Sequence, residues 1–147
     1  LVLWSPDEKL VDQGGGVLKT DRFKFLSIAN AKVAPYGRAA VQTMQKLGIL
    51  TVLEPRVVQG ESISQTYQFV TSGNAQLGFV ALSQVWDSGK VKSGSAWIVP
   101  EDMHEQLKQD IVLLNTGKDS RAAAELLDYL KSDKARKIIE RYGYKLQ

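Results

Sequence analysis

Cysteine is absent from this chain, which excludes disulfide scaffolds, thiolate metal sites and cysteine nucleophiles. Histidine occurs once, at His104, so a catalytic base or a histidine-rich metal cluster has almost nothing to be built from. No apolar run approaches the roughly 18 residues of a membrane-spanning helix, and a chain that does not span a membrane is expected. The phosphate-cradling patterns G-x-x-x-x-G-K-[ST] and G-x-G-x-x-G are missing too. Gly14-Gly15-Gly16 is followed by no lysine-serine pair, and no strand leads into it, so it reads as a loop. Like charges do not cluster: 19 basic and 16 acidic residues are spread along the chain without a basic arm for nucleic acid.

What is present is the composition of a folded domain. Of 147 residues, 44% are hydrophobic and 24% charged, enough apolar material for a real core. Leu1-Val2-Leu3-Trp4 reads as a strand already under way, from which further residues upstream are expected. Ser5 to Thr20 is polar and loop-like. Lys24 to Ala29 supplies a short buried strand, and Ala40, Val41, Met44 and Leu47 then recur at helical spacing between Pro35 and Gly48, a proline-started and glycine-stopped helix. The alternation repeats, with a strand near Arg56 to Val58, a helix from Ser62 to about Thr71 and a strand at Leu77 to Ala81. Strands alternating with short helices predict an α/β domain whose sheet is covered on both faces, with ligands at the loops that lead from strands into helices. Those loops are Asn30 to Gly37 and Gly60 to Ile63.

A further strand, Ser95 to Val99, enters a polar passage at Pro100 to His104 that is expected to cross between domains and end in a strand at Ile111 to Leu114. Two amphipathic helices close the chain: Ser120 to Lys131, with Ala123, Leu126, Leu127 and Leu130 on one face, and Asp133 to Arg141, with Ser132 as N-cap. One strand and two helices bury too little surface to stand alone, so they call for a partner sheet.

The chemistry-bearing residues are few. His104 stands beside Glu101, Asp102 and Glu105 in no metal-ligand spacing and reads as an exposed linker histidine, with a hinge or ligand contact as the alternative. The carboxylates Glu54 and Glu61 have no distinctive partner. Trp4, Trp86 and Trp97 are widely separated and read as core or interdomain filling, not as a base-stacking platform. What remains is two helices that start at short loops after strands, at Ala34-Pro35-Tyr36-Gly37 and at Gly60-Glu61-Ser62-Ile63. Free amides at helix starts bind anions, helped by the helix dipole, and Tyr36 adds a phenolic donor.

At these residues the sequence resembles the molybdate-binding proteins of the bacterial periplasm. The matching stretches run from Phe25 to Ala40 through Ala34-Pro35-Tyr36-Gly37, then Gln45-Lys46-Leu47-Gly48, Leu77-Gly78-Phe79-Val80-Ala81-Leu82-Ser83 and Ile138-Ile139-Glu140-Arg141-Tyr142-Gly143-Tyr144. The resemblance implies a type II periplasmic binding protein: two α/β lobes on a hinge, holding a tetrahedral oxyanion between them by neutral donors. Residues 1–100 would then form the second lobe, and residues 101–147 the crossover and the C-terminal part of a first lobe whose opening segment is not in this chain.

The same resemblance implies a passive carrier and not an enzyme, which binds molybdate or tungstate without a cofactor and delivers it to an ABC permease. It implies a periplasmic location, a monomer for the two-lobed form, and a tendency of the given chain to dimerise. Carried across residue by residue, the family's ligand contacts fall on the Tyr36 side chain and the Ile63 amide. A third position, tyrosine in many members, falls on Ala81, which offers no side-chain donor, so Tyr36 is expected to take over that contact. The readings left beside this one are a sensor for another small anion such as sulfate, and an enzyme on a related two-lobed scaffold.

Overall fold

A computed structural model describes residues 1–146. Its centre is a five-stranded sheet of short strands. These are β1 (Val2–Ser5), β2 (Leu26–Ala29), β3 (Val57–Gly60), β4 (Leu77–Val80) and β7 (Ser95–Ile98), in the order β3-β2-β4-β1-β7. β2 runs parallel to both β3 and β4, whereas β1 is antiparallel to β4 and β7. β1, β2 and β4 are buried along their whole length, which is why they read as continuous apolar runs without alternation.

Side chains alternate across the sheet and feed two cores. On one face Leu3, Leu26, Ile28, Leu77, Phe79 and Trp97 meet Ala40 and Met44 of α1 (Pro35–Lys46) and Leu53 of α2 (Leu50–Leu53). On the other, Val2, Trp4 and Val80 meet Val70 of α3 (Ile63–Thr71) and Val85 of α4 (Leu82–Val85). Both registers agree with this division, since Leu3 stands opposite Phe79 and Val2 opposite Val80. The expected α/β domain with a sheet covered on both faces is thus the observed one.

Local chemistry accounts for the helix limits. Pro35 occupies the first turn of α1, where its missing N–H costs nothing, and Gly48 follows the helix at φ 68°, a left-handed conformation that favours glycine. α3 begins at Ser62, whose hydroxyl accepts from the Gln65 amide at 3.2 Å, while the Gln65 side chain accepts from the Glu61 amide at 2.7 Å.

The stretch after β1 is not the solvated loop its polarity suggests. Leu10, Val11, Val17 and Leu18 are all buried in the first core. The Asp12 carboxylate holds the turn by accepting from the amides of Gly14, Gly16 and Val17 at 2.7–2.9 Å, and these amides depress its pKa, Gly16 most strongly. Gly15, at φ 68°, passes under the Trp97 ring, where an added Cβ would lie 2.4 Å from the ring carbon Cε3.

After α4 a two-stranded ribbon, β5 (Trp86–Asp87) with β6 (Lys90–Val91), leads to β7. Beyond β7 the chain makes a 3-10 turn at Glu101–Met103 and, past the half-buried His104 and Leu107, runs exposed from Lys108 to Leu114. The strand expected at Ile111–Leu114 does not form: Val112 is 76% exposed, and no strand lies beside the segment among the described residues. A lone extended segment has no ladder to join and leaves its amides to water.

α5 (Arg121–Leu130) and α6 (Asp133–Arg141) follow, capped by Ser120 and Ser132. Their apolar residues Leu126 and Ile138 remain 53% and 46% exposed, and Ala135 alone of their residues is buried. After α6 the chain returns to the lobe. Arg141 grips Asp87 with two nitrogens, at 2.6 and 3.1 Å, and the Arg141 carbonyl accepts from the Ser88 amide at 3.1 Å. Gly143, at φ 84°, packs against Leu82 and Trp86, and Lys145 pairs with Glu101.

Candidate functional site

β2, β3 and β4 all point the same way, so their C-terminal ends form one edge of the sheet. From β2 the chain passes to β3 on one side; from β3 it crosses to β4 on the other side of β2. The first connection packs its helix α1 on one face and the second packs α3 on the opposite face. A reversal of this kind opens a crevice outside the carboxyl ends of the strands, where α/β sheets take their ligands.

The two loops that edge the crevice are tied together by Asn30. Its amide N–H donates to the Gly60 carbonyl at 2.7 Å, and its Nδ2 donates to the Glu61 carboxylate at 3.1 Å. Its own carbonyl and side-chain oxygen accept from the amides of Val33, Ala34 and Lys32, which winds the loop into the start of α1. Gly37 completes the fit: a Cβ there would stand 2.1 Å from the Ala29 carbonyl oxygen, so the helix can approach the end of β2 this closely only without a side chain.

Tyr36 is the second residue of α1 and Ile63 the first of α3, both half-buried at this edge. The Ile63 and Ser64 amides lie in the first turn of α3, where the helix provides no acceptor for them, and Ser62 satisfies only Gln65. The arrangement therefore presents a phenol and a helix start from neighbouring loops, groups that donate hydrogen bonds and carry no net charge. Burial pushes the pKa of Tyr36 up, and the adjacent phenol of Tyr144 pushes it further, so Tyr36 is a protonated donor at neutral pH.

Ala81 caps α4 and is buried. Its amide is already committed to the Gln84 side-chain oxygen at 2.9 Å, and Gln84 Nε2 reaches the Ile63 carbonyl at 3.4 Å, joining the α4 and α3 starts. Two residues near this edge escaped the sequence reading: Tyr144, from the last residues of the chain, and Ser83 of α4, whose hydroxyls lie 3.2 Å apart. Nothing in local spacing could reveal a pair separated by 61 positions.

His104 is not the exposed linker residue it was expected to be. It is half-buried against Gln42, Gln45 and Lys46 of α1, with Nδ1 2.7 Å from the Glu105 carbonyl oxygen and Nε2 buried without a partner. It lies on the outer side of α1. Among the described residues no group of three or more histidine, aspartate or glutamate side chains is placed to hold a metal ion, and no helix is long and apolar enough to cross a membrane.

Comparison with known proteins agrees with this architecture. The chain is 55% identical over 147 residues to the molybdate-binding protein ModA of Azotobacter vinelandii and 54% identical over 144 residues to that of Rhodobacter capsulatus. It spans 58% and 56% of the length of these relatives. The solved structure of an Azotobacter vinelandii periplasmic molybdate-binding protein superposes with a TM-score of 0.93 at 36% identity, covering 99% of this chain and 64% of its own. The sequence profile of the bacterial extracellular solute-binding proteins matches residues 1–145, and the chain belongs to that family, one of binders and not of enzymes.

Proposed function

We propose that this chain is the greater part of a periplasmic carrier that binds molybdate, and tungstate as well, and hands it to an ABC importer. The observation that supports this most directly is the meeting of Tyr36 and the α3 start at the strand-order reversal, in a chain similar to molybdate-binding proteins over its whole length. The Tyr36 Oη and the Ile63 amide each donate to one oxygen of a tetrahedral dianion. Hydrogen bonds to a charged acceptor are roughly twice as strong as neutral pairs, so several uncharged donors hold the dianion without a counter-ion. A site made of donors alone rejects protonated phosphate, whose hydroxyl would face another donor.

In this reading residues 1–100 are one lobe, and residues 101–147 are the crossover with a segment that belongs to the other. Two cores whose fully buried residues all precede Pro100 support that division, as do the exposed stretch from Lys108 to Leu114 and the open apolar sides of α5 and α6. The lobe presents its donors on an open edge, and closure of a second lobe over that edge would bury the ion and create the form that a permease distinguishes.

The test is thermal unfolding of a two-lobed protein in which residues 1–147 are joined to the part of the Azotobacter vinelandii relative that they do not match. An anion present at 100 times its dissociation constant stabilises by about 2.7 kcal/mol. Molybdate and tungstate are expected to raise the Tm and phosphate to leave it unchanged. Sulfate stabilising more than molybdate would reassign the ligand, and no shift with any anion would end the reading.

A further inference from the structure

One bond between the two crevice loops joins side chain to side chain. Asn30 follows β2 and Glu61 follows β3, and Asn30 Nδ2 donates to the Glu61 carboxylate at 3.1 Å. The other polar groups of Asn30 are engaged as well. Its Oδ1 accepts from the Lys32 amide at 3.0 Å, its carbonyl accepts from the Val33 and Ala34 amides at 3.2 and 2.8 Å, and its N–H donates to the Gly60 carbonyl at 2.7 Å. Ala34 is the N-cap of α1, so these bonds fix where that helix begins, and Tyr36 with it. Glu61 is placed in turn by its own amide, which donates to Gln65 Oε1 at 2.7 Å across the start of α3, the helix that Ile63 opens. The frame that carries the phenol is thus linked to the frame that carries the free amide.

We infer that Asn30 is a positioning residue, and that its clamp on Glu61 sets the separation between the Tyr36 hydroxyl and the Ile63 amide and thereby the size of oxyanion that the crevice prefers. The ladder between β2 and β3 ends at Ala29 and Gly60. Beyond it, the described residues show two hydrogen bonds across the loops, both made by Asn30. The carboxylate has a second part to play. Glu61 stands next to the α3 start, where a loose negative charge would compete with an anion for the free amides of the first turn. Held by Asn30, it is directed to the α1 loop instead, through a bond that its charge strengthens. Size selection follows from spacing. Sulfate and molybdate carry the same charge on four oxygens, and sulfate is the smaller tetrahedron. Donors held at one separation tell the two apart, whereas donors free to approach one another do not.

The inference rests on the anion reading for its purpose, but the clamp itself is testable without a ligand. Asn30→Asp keeps the acceptor for the Lys32 amide and puts a carboxylate oxygen where the donor to Glu61 stood. Adding Glu61→Gln supplies an amide from the other side, which restores both the bond and the net charge. In the 147-residue chain, the hydrogen-exchange protection factor of the residue 30 backbone amide should fall about tenfold in Asn30→Asp and return to within about twofold in the double variant. Unchanged protection in the single variant would refute the clamp. In the completed two-lobed protein, Asn30→Asp should weaken molybdate binding about fivefold and lower the ratio of molybdate to sulfate affinity about threefold, both repaired by Glu61→Gln. A loss that leaves the ratio unchanged, or that the second substitution does not repair, would reduce Asn30 to a structural brace and overturn the inference. Should Asn30→Asp fail to fold, Glu61→Ala breaks the same bond and leaves the Asn30 backbone bonds in place. Removing a negative charge beside the site would by itself tighten binding. The clamp predicts binding about threefold weaker in about 1 M sodium chloride, where charges are screened beyond about 3 Å, and equal or tighter binding there would overturn it. If the unaltered protein binds no molybdate, the anion reading fails, and the exchange measurement still decides whether the clamp exists.

Discussion

Gly37→Ala sets two effects of opposite sign against each other. Replacing glycine by alanine within a helix ordinarily stabilises it by up to about 1 kcal/mol, because the chain loses less freedom on folding. Here the new Cβ would lie 2.1 Å from the Ala29 oxygen, 2.7 Å from the Ala29 carbonyl carbon and 2.9 Å from the Ala31 nitrogen. All three are backbone atoms at the end of β2, so no side chain can swing aside. Non-bonded contacts of this kind are comfortable only at about 3.5 Å, and α1 must therefore move off the sheet by more than an ångström. Overpacking costs about 1–3 kcal/mol, and a clash with three backbone atoms belongs at the upper end. The balance is a loss of about 2 kcal/mol, which at a urea slope near 2 kcal/mol/M lowers the denaturation midpoint by about 1 M. Gly48→Ala is the control. That residue is at φ 68° with no atom within 4 Å of the new Cβ, so it pays only the left-handed strain of about 1–2 kcal/mol. If Gly37→Ala unfolds at the same urea concentration as the unaltered chain, or higher, the close approach of α1 to β2 is not what the geometry says it is.

Arg141 and its hydrogen bonds hold the Asp87 carboxyl down to about 2. A depressed acid contributes stability above its unfolded pKa of about 4 and loses it as pH falls towards 2. The Ser88 amide, which donates to Arg141 O, should therefore keep its hydrogen-exchange protection from pH 7 to 5, lose it below pH 4, and lack the added protection throughout in Arg141→Gln; protection that is independent of both would remove the pair as the fastening of the C-terminal segment. The open apolar run with Val112 at 76% and Leu114 at 65% exposure should make the 147-residue chain self-associate at micromolar concentration. Light scattering should show a monomer for Val112→Ser combined with Leu114→Ser, and a monomeric unaltered chain at high concentration would refute the association.

The elements legible in the sequence were those whose signals are local. Pro35 and Gly48 bracket α1, Ser62 starts α3, and Ser120 and Ser132 start α5 and α6, because caps act on amides within a few residues. Ile111–Leu114 has strand composition and still forms no strand, since pairing is decided by a neighbour and not by the residues themselves. The burial of Leu10, Val11, Val17 and Leu18 was hidden for a related reason. A plug over a core has no period, and its shape comes from one carboxylate, Asp12, holding three amides.

The same distinction explains how the site was read. Tyr36 and Ile63 each belong to a helix start, so their donor chemistry could be named from sequence, and a resemblance singled them out among all helix starts in the chain. Their meeting depends on something no single segment carries: the order β3-β2-β4, which sends α1 and α3 to opposite faces and leaves their N-termini facing one edge. Asn30 then converts that topology into geometry, bonding at once to Gly60, Glu61 and the loop that begins α1. A site of this construction draws its precision from strands and backbone, with side chains contributing only the last donor. In the proposed site that donor is Tyr36, the second residue of α1.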